Sequence, residues 1–185
     1  MLNTKRASCL SLIIPLLVLT GCGAGTAAKM AYHELRGAQG SLMFIQEPGS
    51  SEFARYNSVS FNPATTTIGS TLCPPDLRTT YDQCAREQVE NLVEYYPGGS
   101  PALTISADIL YFQSKGIMSG AECLTRVRFN DSGRQVADAI VRVESKAFRT
   151  GGSAAMAEAT VKTIGKYLKE HKEPAEDEDR HEDDD

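Results

Sequence analysis

The chain has 185 residues and a formal net charge of −5, but that charge is spread unevenly. Residues 22–172 carry 15 acidic and 16 basic side chains, whereas residues 173–185 (EPAEDEDRHEDDD) hold nine acids against Arg180 alone. The body is therefore close to neutral, and its length allows one domain with a real core.

The chain opens with Lys5 and Arg6, followed by a largely apolar run over residues 7–19. That run has the length of a signal-peptide core and is short of the ~20 residues a membrane-spanning helix needs. Pro15 inside it suits a transient segment better than a permanent span. The run leads into Leu19-Thr20-Gly21-Cys22, which resembles the lipobox of bacterial lipoproteins. The resemblance implies cleavage before Cys22, a diacylglycerol on its thiol and a further acyl chain on the new amino terminus. Each buried methylene contributes ~0.8 kcal/mol, so two or three chains hold firmly where one binds reversibly. Gly23, where lipoproteins kept in the inner membrane often carry aspartate, implies an outer-membrane protein facing the periplasm in a host with two membranes. Residues 1–21 are thus expected to be the signal, 22–31 a flexible Gly/Ala/Thr tether, 32–172 one domain and 173–185 a disordered acidic tail.

Within the domain, residues 41–47 and 53–62 read as strands separated by Pro48-Gly49-Ser50-Ser51. A Thr/Pro-rich loop then leads to a helix over about residues 76–96, with Pro75 near its start and PGGSP after its end. Its helical spacing places Tyr81, Cys84, Ala85, Val89, Leu92, Val93 and Tyr96 on one inward face. Three strands follow in quick succession, over residues 102–113, 122–130 and 135–148, with Asn130-Asp131-Ser132-Gly133 as a hairpin turn. In the last of them Ala137, Ala139, Val141, Val143 and Ala147 alternate with Asp138, Arg142, Glu144 and Lys146, so one face should be wet. A final helix from about Ser153 carries its apolar stripe on Ala157, Val161, Ile164 and Leu168. The expected fold is α+β: an antiparallel sheet of about five strands with both helices packed on one face.

In an oxidising compartment the cysteines beyond the anchor, Cys73, Cys84 and Cys123, allow one bridge and one spare thiol. Alternation in CLTRVRF turns Cys123 inward and Arg126 and Arg128 outward. A Cys84–Cys123 bridge would tie helix to sheet across a long loop and add roughly 4 kcal/mol. Cys73 with Cys123 stays open, Cys73 with Cys84 fits poorly, and three unpaired thiols are a further alternative. No CxxC spacing points to zinc or redox chemistry.

Signs of catalysis are sparse. His33, His171 and His181 lack a nucleophile-elbow partner, and Gly165-Lys166 fails the phosphate-loop pattern. Asp108 and Glu122 offer a carboxylate pair, although carboxylates on a wet strand are usually solvated. Arg126, Arg128, Arg142 and Lys146 form a basic stripe diluted by Asp138 and Glu144. No catalytic residue, cofactor or metal site is assigned. Residues 76–171, with VRFNDSGRQVADAIVRVES and the Gly151-Gly152-led helix, resemble small periplasmic lipoproteins that act as accessory or assembly factors of the cell envelope. The resemblance implies a non-catalytic binding or assembly module. Its expected partners are the bilayer, through acylated Cys22, and another envelope protein, not nucleic acid. A lipid or transport accessory with an apolar cleft and an unrecognised envelope hydrolase are the alternatives.

Overall fold

The computed structural model describes Tyr32 and residues 36–49, 52–69, 71–114, 120–146 and 152–172. The expected signal segment, tether and acidic tail, with Cys22, His33 and His181, lie outside these residues.

The elements run β1 (Gln39–Gln46), β2 (Ser58–Phe61), β3 (Thr65–Thr66), α1 (Pro75–Asn91), β4 (Ala102–Gln113), β5 (Ala121–Asp131), β6 (Arg134–Ser145) and α2 (Ser153–Glu170). They form an α+β domain with one six-stranded sheet ordered β1-β6-β5-β4-β2, in which β3 also pairs with β4. The sheet is mixed, which corrects the expectation of five antiparallel strands. β1, β6, β5 and β4 are antiparallel neighbours, whereas β2 and β3 run parallel to β4. Connection length explains the difference. β5 and β6 are joined by a two-residue turn, whereas α1 lies between β2 and β4. A helical crossover of that kind returns the chain to the sheet in the same direction.

The β5–β6 turn places Ser132 and Gly133 at φ 49° and 87°, between the paired residues Asp131 and Arg134. Positive φ at both central positions is the hairpin turn whose twist matches that of the strands, and glycine adopts it without strain.

Strand alternation divides the sheet into two faces. Leu103, Ile105, Cys123, Val127, Phe129, Ala137, Ala139, Val141 and Val143 are buried on the helix side. α2 packs there with Met156, Ala157, Val161, Ile164 and Leu168, so the expected stripe is present and widened by Met156. α1 adds Leu77, Tyr81 and Ala85. A bulge between Ile109 and Tyr111 reverses the alternation in β4, so that Phe112 faces Cys123 and Tyr111 stands opposite Leu124.

Two local expectations change. Residues 52–55 form a turn, and the strand is shortened to Ser58–Phe61. Phe53 and Tyr56 are nevertheless fully buried, and Lys172 Nζ donates to the carbonyls of Ala54 (2.9 Å) and Tyr56 (2.6 Å), tying this turn to the end of α2. The first helix ends at Asn91 rather than near Tyr96. Val93 therefore falls out of helical phase and is exposed, while Leu92 and Tyr96 remain buried. Tyr96 hydroxyl donates to the Leu168 carbonyl at 3.2 Å, and burial pushes its pKa up to about 12. Tyr81 hydroxyl is buried in the core without a hydrogen-bond partner among the described residues.

Candidate interaction surface

The face turned away from the helices is built from the alternate residues of the same strands. β5 contributes Glu122, Leu124, Arg126 and Arg128; β6 contributes Asp138, Ile140, Arg142 and Glu144; β1 contributes Ser41 and Met43. The outward placement of Arg126 and Arg128 agrees with the sequence pattern.

Two of the four cations of the basic stripe, Arg126 and Arg142, are paired with carboxylates on this face. Arg126 grips Asp138 with two nitrogens: Nε donates to Oδ1 at 3.0 Å and to Oδ2 at 3.1 Å, and Nη2 donates to Oδ2 at 2.5 Å. Asp138 is only 2% exposed, so the wet face expected of β6 is partly sealed. A buried carboxylate needs such a partner, because an unpaired one would carry its full desolvation cost. The hydrogen bond from Arg126 to Asp138 and the charge of that carboxylate hold the guanidinium pKa above its usual value. Arg142 pairs with Glu122 at 2.7 Å and with Glu144. Asp108 is also buried and accepts from Thr65 Oγ1 at 3.3 Å. Asp108 stands opposite Arg126 and Glu122 opposite Gln113, so these two carboxylates are not brought together.

β1 differs from the rest of the face. It is a sheet edge eight residues long, its sequence QGSLMFIQ has no charged residue or proline, and among the described residues no strand pairs with its outer side. Met43 and Ile45 are 52% and 61% exposed. Leu42 and Phe44 point the other way and pack against the core, and the Phe44 ring lies 5.1 Å from that of Tyr167. Gly40 allows this close fit, since a Cβ there would collide with Thr163 Oγ1 of α2. The opposite edge is guarded: β2 has four residues, β3 two, and Asn62 and Pro63 interrupt them. A bulge at Ile45 limits regular pairing on β1 to Gln39–Phe44. The sequence signal for this edge was the uncharged run itself; nothing in the run tells an edge strand from a central one.

Three of the grooves among the described residues lie on the flanks of the domain. One of about 450 Å³ lies between the start of β1 and α2, lined in part by Arg36, Gln39, Glu158, Lys162 and Lys166. Its lysines are already engaged, Lys162 with Glu158 at 2.5 Å and Lys166 with Glu170 at 3.7 Å. A second, of about 360 Å³, is lined by Phe44, Glu47, Pro48, Gly49, Phe53, Tyr167 and His171. His171 there stacks on Tyr167 at 3.9 Å. The third, of about 110 Å³, lies between Phe61 and α1. None of the three has leucine or isoleucine in its lining. Among the described residues no group of three or more His, Cys, Asp and Glu is placed to hold a metal ion, and no helix is long and apolar enough to cross a membrane.

No protein-family model matches the sequence. No curated protein matches it either. Among solved structures, a PelC dodecamer from Paraburkholderia phytofirmans in space group C2 is similar over 69% of this chain and 95% of its own, at 14% identity and a TM-score of 0.48. The same protein in space group P6 gives 13% identity and 0.43 over 69% and 96%. The hypothetical protein CT253 from Chlamydia trachomatis gives 9% identity and 0.35 over 61% and 96%. At these values the likeness says nothing of function.

The three cysteines among the described residues, Cys73, Cys84 and Cys123, are free thiols in this structure, so neither the Cys84–Cys123 bridge nor its alternative is formed there. Cys84 is half-buried at the rim between the helices rather than inward, with Glu87, Glu158 and Lys162 as its charged neighbours. Burial raises its pKa.

Proposed function

We propose that this chain is an envelope lipoprotein, anchored through acylated Cys22, whose domain is a non-catalytic docking module. The observation that carries the docking role is the contrast between the two sheet edges. An uncharged edge strand with outward Met43 and Ile45 is a template for strand addition. The occupant that suits it is an extended segment of another envelope protein. Main-chain hydrogen bonds along Gln39–Phe44 would give affinity, and apolar residues at alternate positions would cover Met43 and Ile45. Arg126 and Arg142 on the neighbouring face are already paired with carboxylates, which favours this over a phosphate-bearing or nucleic-acid ligand that would draw on free cations. The three flanking grooves have no leucine or isoleucine in their linings, which gives no support to a lipid carrier.

Replacing both Met43 and Ile45 by lysine tests the docking role. Both side chains already face solvent, so the stability of the domain should change by less than about 1 kcal/mol. Chemical crosslinking in intact cells should then lose the adduct seen with the unaltered chain. An adduct of unchanged yield would remove β1 as the docking edge.

A further inference from the structure

Cys73 and Cys123 lie at the same end of the molecule. β4 ends at Gln113, β5 begins at Ala121 and β6 ends at Ser145, so Cys123, which pairs with Phe112 and Val143, sits near this end of the sheet. α2 starts from the same end, and its Ser153 hydroxyl is hydrogen-bonded to Asp76 Oδ2 in the first turn of α1. Cys73 is three residues before Asp76, in a turn where its N–H donates to the Gly69 carbonyl at 3.0 Å. β3 runs parallel to β4 and so carries the chain toward that same end. Cys73 and Cys123 are 2% and 1% exposed and belong to one apolar cluster. Cys123 faces the helices from β5, with its sulfur 3.7 Å from Thr125 Oγ1. Burial pushes its pKa up to about 11, and Cys73 is among the groups that raise it. The charged neighbours of Cys84, Glu87, Glu158 and Lys162, lie instead along α1 and α2.

We propose that Cys73 and Cys123 are the pair that forms the disulfide, fastening the turn before α1 to the start of β5 and leaving Cys84 as the free thiol. The oxidant is an external disulfide, of the glutathione or dithiol-exchange class. One cysteine thiolate attacks it, forming a mixed disulfide and expelling one thiolate of the oxidant. The second cysteine thiolate then displaces the remaining half. The protein sulfurs lose two protons and two electrons, and the oxidant is reduced to two thiols. Cys73 is the natural entry point, because its turn also carries the exposed Leu72, whereas Cys123 is reached only once that turn opens. This pairing does not depend on the envelope reading.

The test is refolding of the full chain from urea in oxidised and reduced glutathione, so that burial does not block access. The products are then alkylated and digested without reduction. Arg78 separates Cys73 from Cys84, so trypsin places them on different peptides. The expected result is a peptide bearing Cys73 joined to one bearing Cys123. The link should persist in Cys84→Ser, and the oxidised form should melt roughly 10 °C above the reduced form. A Cys84–Cys123 link, or Cys73 and Cys123 both recovered as alkylated thiols from the folded protein, would overturn the pairing.

Discussion

Phe129→Ala is expected to lower the free energy of unfolding by about 3–5 kcal/mol, a large part of the 5–15 kcal/mol typical of a domain. Phe129 is 0% exposed on the central strand of the sheet, paired with Ile105 on one side and Ala137 on the other. Its ring meets that of Phe53 edge-on, with centroids 5.1 Å apart, and Phe53 meets Tyr167 of α2 in the same manner at 5.6 Å. Truncation therefore empties a site shared by the sheet, the turn over residues 52–55 and the second helix. The neighbouring residues are small or already engaged, so collapse into the space is limited. Phe129→Leu keeps most of the volume and should lose less than about 1.5 kcal/mol. Urea unfolding followed by circular dichroism measures both, and a loss under 1 kcal/mol for the alanine variant would mean that this junction is not the centre of the core.

The second large effect is expected at Asp138. Asp138→Ala removes both oxygens that Arg126 holds and should reduce stability by about 1.5–3 kcal/mol, the range for hydrogen bonds to charged groups. The freed guanidinium can turn to water, which keeps the loss below that of a fully buried charge left alone. Arg126→Ala should be the worse of the two changes, because it strands a carboxylate with almost no solvent access. The same urea experiment decides the order; a milder effect for Arg126→Ala would show that Asp138 finds water or another donor.

Much of this fold is visible in the amino-acid pattern, and the failures have physical causes. The strand over Ala102–Gln113, the Ser132-Gly133 turn and the α2 stripe follow from alternation, turn chemistry and helical period, all of which are local. The parallel pairing of β2 with β4 is not local: Ser58–Phe61 would show the same pattern in either direction, and only the intervening helix fixes it. β3 has two residues, too few for any alternation to register. Helical spacing puts Cys84 beside Tyr81 and Ala85 and so points it inward, yet the buried face centres on Leu77, Tyr81 and Ala85 and leaves Cys84 at its rim. The charges of the candidate surface could be assigned to the correct face from alternation. That Arg126 would clamp Asp138 two residues away from its direct opposite, Ile140, is a diagonal contact that depends on rotamers.

The proposed role rests first on where the domain is held. The most direct measurement is the mass of the amino-terminal peptide of the mature chain, isolated from membranes of the native host. The expected peptide begins at Cys22 and carries a diacylglycerol and an amide-linked acyl chain, and Cys22→Ser leaves the precursor uncleaved and unlabelled by fatty acid. A mature chain that begins at another residue, or an unmodified Cys22, would contradict the anchor and with it the envelope setting of the docking edge.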